Sequence, residues 1–168
     1  PSIAAEILFE AAKLAPYRAL QFDKQSDSLL ARLRFAARHH PQLPTHDSWD
    51  DLLQTLCFGK RSFAELRKVN IAAEILKQLD WNNRQLLNTT APERYQLTNG
   101  QSIRLQYPAQ GSPILASYIQ KLFCLKTHPL LGGEPLMIHL LAPNGRPQQQ
   151  TTDIVSFWKN TYPEVKKD

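Results

Sequence analysis

The stretch Arg94-Tyr95-Gln96-Leu97-Thr98-Asn99-Gly100-Gln101-Ser102-Ile103-Arg104-Leu105-Gln106-Tyr107 marks where the chain changes its period. Tyr95 and Leu97, then Ile103, Leu105 and Tyr107, alternate with polar residues, the period of a strand with one face in water. Asn99-Gly100 lies between the two runs, and Asn-Gly usually signals a two-residue hairpin loop. That register pairs Leu97 with Ser102 and puts the two apolar sets on opposite faces. A three-residue loop, Thr98-Asn99-Gly100, pairs Leu97 with Gln101 and Tyr95 with Ile103. Burial on one face favours this second register, with Gly100 left-handed in a bulge.

Upstream the pattern is helical. Residues 2–15 form one run, ended by Pro16. Ser26 can cap a helix with Leu29, Leu30, Leu33 and Ala37 on one face and Arg32, Arg34 and Arg38 largely off it. Pro41 and Pro44 stop it. Ser48, with Asp50 and Asp51, opens the next helix, whose stripe is Leu52, Leu53 and Leu56 and whose left-handed C-terminal cap is Gly59. Ser62-Phe63-Ala64-Glu65 is a capping box, followed by Leu66, Val69, Ala73 and Leu76. Asp80 caps a last helix through Leu87.

Downstream, Ser112 and Pro113 are expected to open a helix bearing Leu115, Ile119 and Leu122. Leu136 to Leu141 is apolar enough for a central strand, with His139 as a hydrogen-bonded core histidine. Pro143-Asn144-Gly145 turns the chain, Gln148 to Thr151 returns as a more polar strand, and Ile154 to Tyr162 is a short helix. The expected fold is α+β in a single domain of 168 residues. Its helical half is 1–93, and 94–168 is a small, mostly antiparallel sheet with two short helices.

Charge is uneven. Residues 1–93 hold 12 basic and 11 acidic side chains, and residues 94–168 hold 8 and 4, so the second half carries most of the net charge of +5. That half has the stronger attraction for a polyanion. Cys57 and Cys124 are the only cysteines and are expected as free, buried thiols of a reducing compartment, the cytoplasm. No apolar run approaches bilayer length. The only methionine is Met137, so the chain is expected to be a piece of a longer product.

Enzyme chemistry is not written here. A phosphate-binding loop needs a leading glycine, then Gly-Lys-Ser/Thr. The one Gly-Lys pair, Gly59-Lys60, is followed by Arg61, and Gln54 stands where the leading glycine belongs. No Asp-Glu-x-His run is present to hold magnesium. His39, His40 and His46 flank two prolines but lack a cysteine or carboxylate arranged to complete a zinc set. No catalytic residue, cofactor or metal is assigned to this chain.

The most distinctive text is His139-Leu140-Leu141-Ala142-Pro143-Asn144-Gly145-Arg146-Pro147, followed by Gln149, Thr151, Asp153, Phe157 and Trp158. It resembles the pattern His-Leu-Leu-Ser-Pro-x-Gly-Arg-Pro-x-Gln-x-Thr-x-Asp-Leu-x-x-Phe-Trp of the C-terminal region of bacterial HrpB-type ATP-dependent RNA helicases. Residues 162–167, and upstream Arg32-Leu33-Arg34-Phe35, Ala91-Pro92 and Gln120-Lys121-Leu122-Phe123, are similar in the same order. Ala142 replaces the pattern's serine and Cys124 a glycine. The resemblance implies a parent DEAH-type RNA-dependent ATPase whose motor domains, in the same polypeptide, bind ATP and magnesium. This chain would be its accessory domain.

Two functions compete for that domain. One is contact with single-stranded RNA or DNA, with Arg104, Arg146 and Lys159 as phosphate partners and Trp158 as a stacking platform. The other is a protein-docking or scaffold domain that braces the motor or recruits a partner, for which an apolar surface patch would be the sign. Each candidate also has a purely structural reading. Trp158 on a short apolar helix can be core, and Arg146 can bond nearby carbonyls or Asp153.

Overall fold

The computed structural model describes residues 2–45 and 50–162. The chain forms two compact units, Pro1–Gln85 and Leu86–Asp168.

The first unit is helical. Helix α1 (Ser2–Leu14) ends at Pro16, which opens α2 (Pro16–Ala19); α3 is Lys24–His39 and α4 is Asp50–Cys57. Then come α5 (Phe63–Leu66), α6 (Ile71–Lys77) and α7 (Trp81–Thr90), the last crossing the boundary between the units. Helix α1 packs on α4, α2 on α5 and α3 on α6. Leu33, Phe35, Leu53, Leu66 and Ile75 are fully buried.

The cap of α3 is Asp23, not Ser26. The Ser26 amide donates to Asp23 Oδ1 (2.8 Å), and the Asp23 amide donates to Ser26 Oγ (2.9 Å). A carboxylate that accepts at the positive helix end outcompetes a hydroxyl three residues on, and Ser26 closes the reciprocal box. Those Ser26 hydrogen bonds hold the Asp23 carboxyl below the usual aspartate value. The buried stripe of α3 is also rotated from the expected one. It runs through Leu29, Arg32, Leu33, Phe35 and Ala36, so Arg32 is buried rather than off the face. Residues 29, 32, 33 and 36 share one face of a 3.6-residue helix, and Phe35 pulls the stripe toward itself.

The capping box at Ser62 starts only one turn. Ser62 Oγ accepts from the Glu65 amide (3.3 Å), but the Glu65 carboxylate turns to the Arg61 amide. Asn70 then offers a new cap, accepting from the Ala73 amide (3.1 Å), and splits the expected helix into α5 and α6. Asp80 caps α7 as expected, accepting from the Asn83 amide (2.7 Å). Gly59 has φ of 76° after α4. The expected start of α4 at Ser48 lies outside the described residues.

The second unit is built on a sheet. Strands β1 (Arg94–Gln96), β2 (Ser102–Gln106) and β3 (Ile114–Tyr118) are followed by a 3₁₀ turn, Ile119–Leu122. Strands β4 (Leu130–Leu131) and β5 (Glu134–Pro135) form a separate hairpin, and β6 (Met137–Leu141) and β7 (Pro147–Thr151) complete the large sheet. A short α8 (Ile154–Ser156) runs into a π-helical segment, Phe157–Thr161. The five-stranded sheet has the order β1-β2-β3-β6-β7. All its pairings are antiparallel except β3 with β6, which is parallel.

The hairpin has the three-residue loop. Tyr95 pairs with Ile103, the Leu97 amide donates to the Gln101 carbonyl (2.7 Å), and Gly100 has φ of 86°. A methyl added at Gly100 would meet nothing within 4 Å, so only the left-handed backbone resists it. Gly100→Ala is therefore expected to cost about 1 kcal/mol, read as a shift in a denaturant midpoint. An unchanged midpoint would mean that the loop relaxes into another turn at no cost.

Residues 114–118 are a strand where a helix was expected. Leu115, Ile119 and Leu122 have helical spacing, but a short apolar run does not distinguish the two periods. The interior decides it: β3 sits between β2 and β6, the Pro113 carbonyl accepts from the Met137 amide (2.9 Å), and Leu115 and Ser117 face inward. Only Ile119–Leu122 turns helical. His139 is corrected too. It alternates with fully buried Ile138 and Leu140, so its side chain stands half-buried on the opposite face of β6, outside the core.

Candidate nucleic-acid contact surface

Arg104 lies on β2 directly opposite Arg94 on β1. The Arg94 guanidinium turns back onto Ser102, donating from Nε to Oγ (2.9 Å) and from Nη2 to the carbonyl (3.2 Å). Both guanidinium groups keep their charge, and the Arg104 side chain is exposed to solvent.

Arg146 follows the turn between β6 and β7. The Gly145 amide donates to the Ala142 carbonyl (2.8 Å), the Arg146 amide to Asn144 Oδ1 (2.9 Å), and the Ala142 amide to the Arg146 carbonyl (2.9 Å). The backbone of Arg146 is thus fixed while its side chain is exposed. Asp153, the carboxylate weighed as its partner, is engaged elsewhere: it caps α8, accepting from the Ser156 amide (3.1 Å).

Trp158 stands among aromatic rings. Its centroid lies 5.2 Å from Phe157, 5.5 Å from Phe123 and 5.5 Å from Tyr162. The indole N–H donates to the Leu125 carbonyl (3.1 Å), and the residue is half-buried. Lys159, next on the π-helical segment, is exposed. The four candidates therefore occupy three places: the β2 strand, the β6–β7 turn and the C-terminal helical segment.

His128 carries a structural role that no local pattern announces. Its Nδ1 accepts from the Ile154 amide (3.0 Å) and its Nε2 faces the Leu136 carbonyl at 2.6 Å. With Nδ1 accepting, Nε2 is the ring's donor, and the side chain bridges the start of α8 to the residue before β6. Among the described residues no group of three or more His, Cys, Asp and Glu could hold a metal, and no helix is long and apolar enough to cross a membrane. Cys57 and Cys124 are both free. Burial pushes the Cys57 thiol up, and Cys124 is only half-buried.

Residues 52–168 match the family described as ATP-dependent helicase C-terminal, HrpB_C. The chain belongs to the HrpB_C family. The Escherichia coli (strain K12) protein named ATP-dependent RNA helicase HrpB is 32% identical over 160 residues, covering 89% of this chain and 20% of its own length. The crystal structure of the E. coli DExH-box NTPase HrpB superposes with a TM-score of 0.84 and 29% identity, over 95% of this chain and 21% of that one. A second crystal structure, of the E. coli DEAH/RHA helicase HrpB, gives 0.79 and 27%, over 98% and 22%. The chain spans about a fifth of the length of these relatives.

Most letters of the HrpB_C motif have folding jobs here. Gly145 takes φ of 82° in the turn, and Gln149 pairs with Leu140 across the sheet. Thr151 Oγ1 accepts from the Asp153 amide (3.0 Å), Asp153 caps α8, and Phe157 is buried. The Arg146 side chain, by contrast, is exposed.

Proposed function

We propose that this chain is the C-terminal accessory part of an HrpB-like ATP-dependent RNA helicase and that it assists the motor by contacting single-stranded nucleic acid. Family membership supports the first half of the reading. The observation that carries the second is the set of exposed cations Arg104, Arg146 and Lys159, none in an ion pair among the described residues. In this reading ATP and magnesium are bound by motor domains in the same polypeptide, and the setting is the cytoplasm.

Scattered cations on an open surface neutralise few phosphates, so the isolated chain should bind weakly. The expected Kd for single-stranded RNA is on the order of 10⁻⁴–10⁻⁶ M at moderate salt, with little sequence preference. Arg146→Ala should leave the melting temperature within a few degrees, since the turn is held by backbone and Asn144. It should weaken RNA binding and reduce the salt slope by about one. An RNA titration at two salt concentrations checks both. Binding indifferent to salt, or none at low salt, would shift the reading to protein docking.

A further inference from the structure

The large sheet has two unlike faces. Leu105, Leu115, Ser117, Ile138 and Leu140 point to one side and are buried. The residues between them, Arg104, Ala116, Tyr118, Met137 and His139, point to the other and are half-buried or exposed. In-register pairing makes this second face continuous: Arg94 lies beside Arg104, Ala116 beside His139, and His139 beside Gln150.

Its chemistry is one-sided. The five strands contain no aspartate or glutamate, while Arg94 and Arg104 stand on this face. The ring of Tyr118 is exposed at the end of β3, with Lys121 Nζ 5.7 Å from its centroid. The Tyr118 hydroxyl lies 3.9 Å from where a Cβ on Gly145 would stand, which brings this ring to the turn that carries Arg146. Exposed Gln106 and Gln150 add amide donors and acceptors on the same face.

A charged groove alone fits any polyanion. A cationic sheet face with an exposed ring and a second cation beside it fits phosphates and unpaired bases together. We propose that this open face, from Arg104 across to Tyr118, Lys121 and Arg146, is the surface that holds single-stranded nucleic acid. This rests on the functional reading above but assigns it a place, apart from the Trp158 cluster. Arg104 and Arg146 take phosphates at the two ends, and a base stacks on Tyr118. Neighbouring strands are ~4.8 Å apart and residues on one face ~6.6 Å apart along a strand, so the occupied strip holds only a few nucleotides.

Fluorescent oligo-uridine and oligo-deoxythymidine, with an RNA duplex alongside, are titrated into the whole chain and into three variants at two salt concentrations. Arg104→Glu should weaken single-strand binding by about tenfold or more and lower the salt slope. Tyr118→Ala should weaken it by roughly tenfold with the slope unchanged, the mark of lost stacking. Lys68→Glu, an equal charge change on the exposed surface of the helical unit, should change it less than about twofold. All three sites are exposed, and a thermal melt within a few degrees of the parent confirms folding. Binding of either single-stranded probe with this pattern supports the surface. Salt-dependent binding on which all three variants act alike would overturn the surface and leave the functional reading standing. No binding of either probe would overturn both, and duplex bound as tightly as single strand would overturn the stacking role.

Discussion

Trp158→Ala is expected to destabilise the sheet unit by about 2–4 kcal/mol. A fully buried tryptophan typically costs about 3–5 kcal/mol on truncation, and this ring is half-buried, so its loss costs less. Three ring neighbours at 5.2–5.5 Å lose their partner at once. The Leu125 carbonyl also loses the indole N–H, worth about 1 kcal/mol. Trp158→Phe should keep the ring contacts and cost mainly that hydrogen bond. A denaturant titration followed by near-ultraviolet circular dichroism reads the aromatic cluster directly. If Trp158→Ala melts normally and loses RNA affinity instead, the ring is a stacking platform and the packing assignment is wrong.

His128→Ala is expected to cost about 2–4 kcal/mol. Truncation leaves the Ile154 amide and the Leu136 carbonyl without their partner, and an unsatisfied buried group costs about 1–3 kcal/mol. Ile154 is fully buried and opens α8, so the loss should also loosen the C-terminal helical segment. His128→Asn should recover part of the stability, since its side-chain oxygen can take the place of Nδ1 but its amide cannot reach as far as Nε2. Amide hydrogen exchange at Ile154 gives the sharper readout, with faster exchange expected in the alanine variant than in the asparagine one. Equal stability of the alanine variant and the parent would mean that water replaces the ring.

Neither residue's role could be read from its neighbours in the chain. His128 lies 26 residues from the amide it accepts, and Trp158 lies 33 from the carbonyl it donates to. The surface through Tyr118 was hidden for a related reason: residues 112–122 read as a helix, and a helix places Tyr118 nowhere near Arg104 or Arg146. Once β3 is a strand, its register with β2 puts Tyr118 on the same face as Arg104, and its pairing with β6 brings the Tyr118 ring to Gly145, the residue before Arg146.

What the sequence determined by itself is whatever depends on a few adjacent residues or on period. The odd hairpin loop followed from where alternation would otherwise have put Leu97. The caps at Asp80 and Gly59, the turn at Asn144-Gly145 and the central position of residues 136–141 followed from local chemistry in the same way. The long motif around Arg146 was enough to name the family. The tertiary structure alone decided which of two equal periods residues 114–118 would follow, because the stabilisation comes from pairing with β2 and β6 rather than from the segment itself. It also decided which face of α3 is buried, how His128 is used, and that His139 faces out. In each case the deciding contact joins residues far apart in the chain, and composition and spacing carry no record of who the partner is.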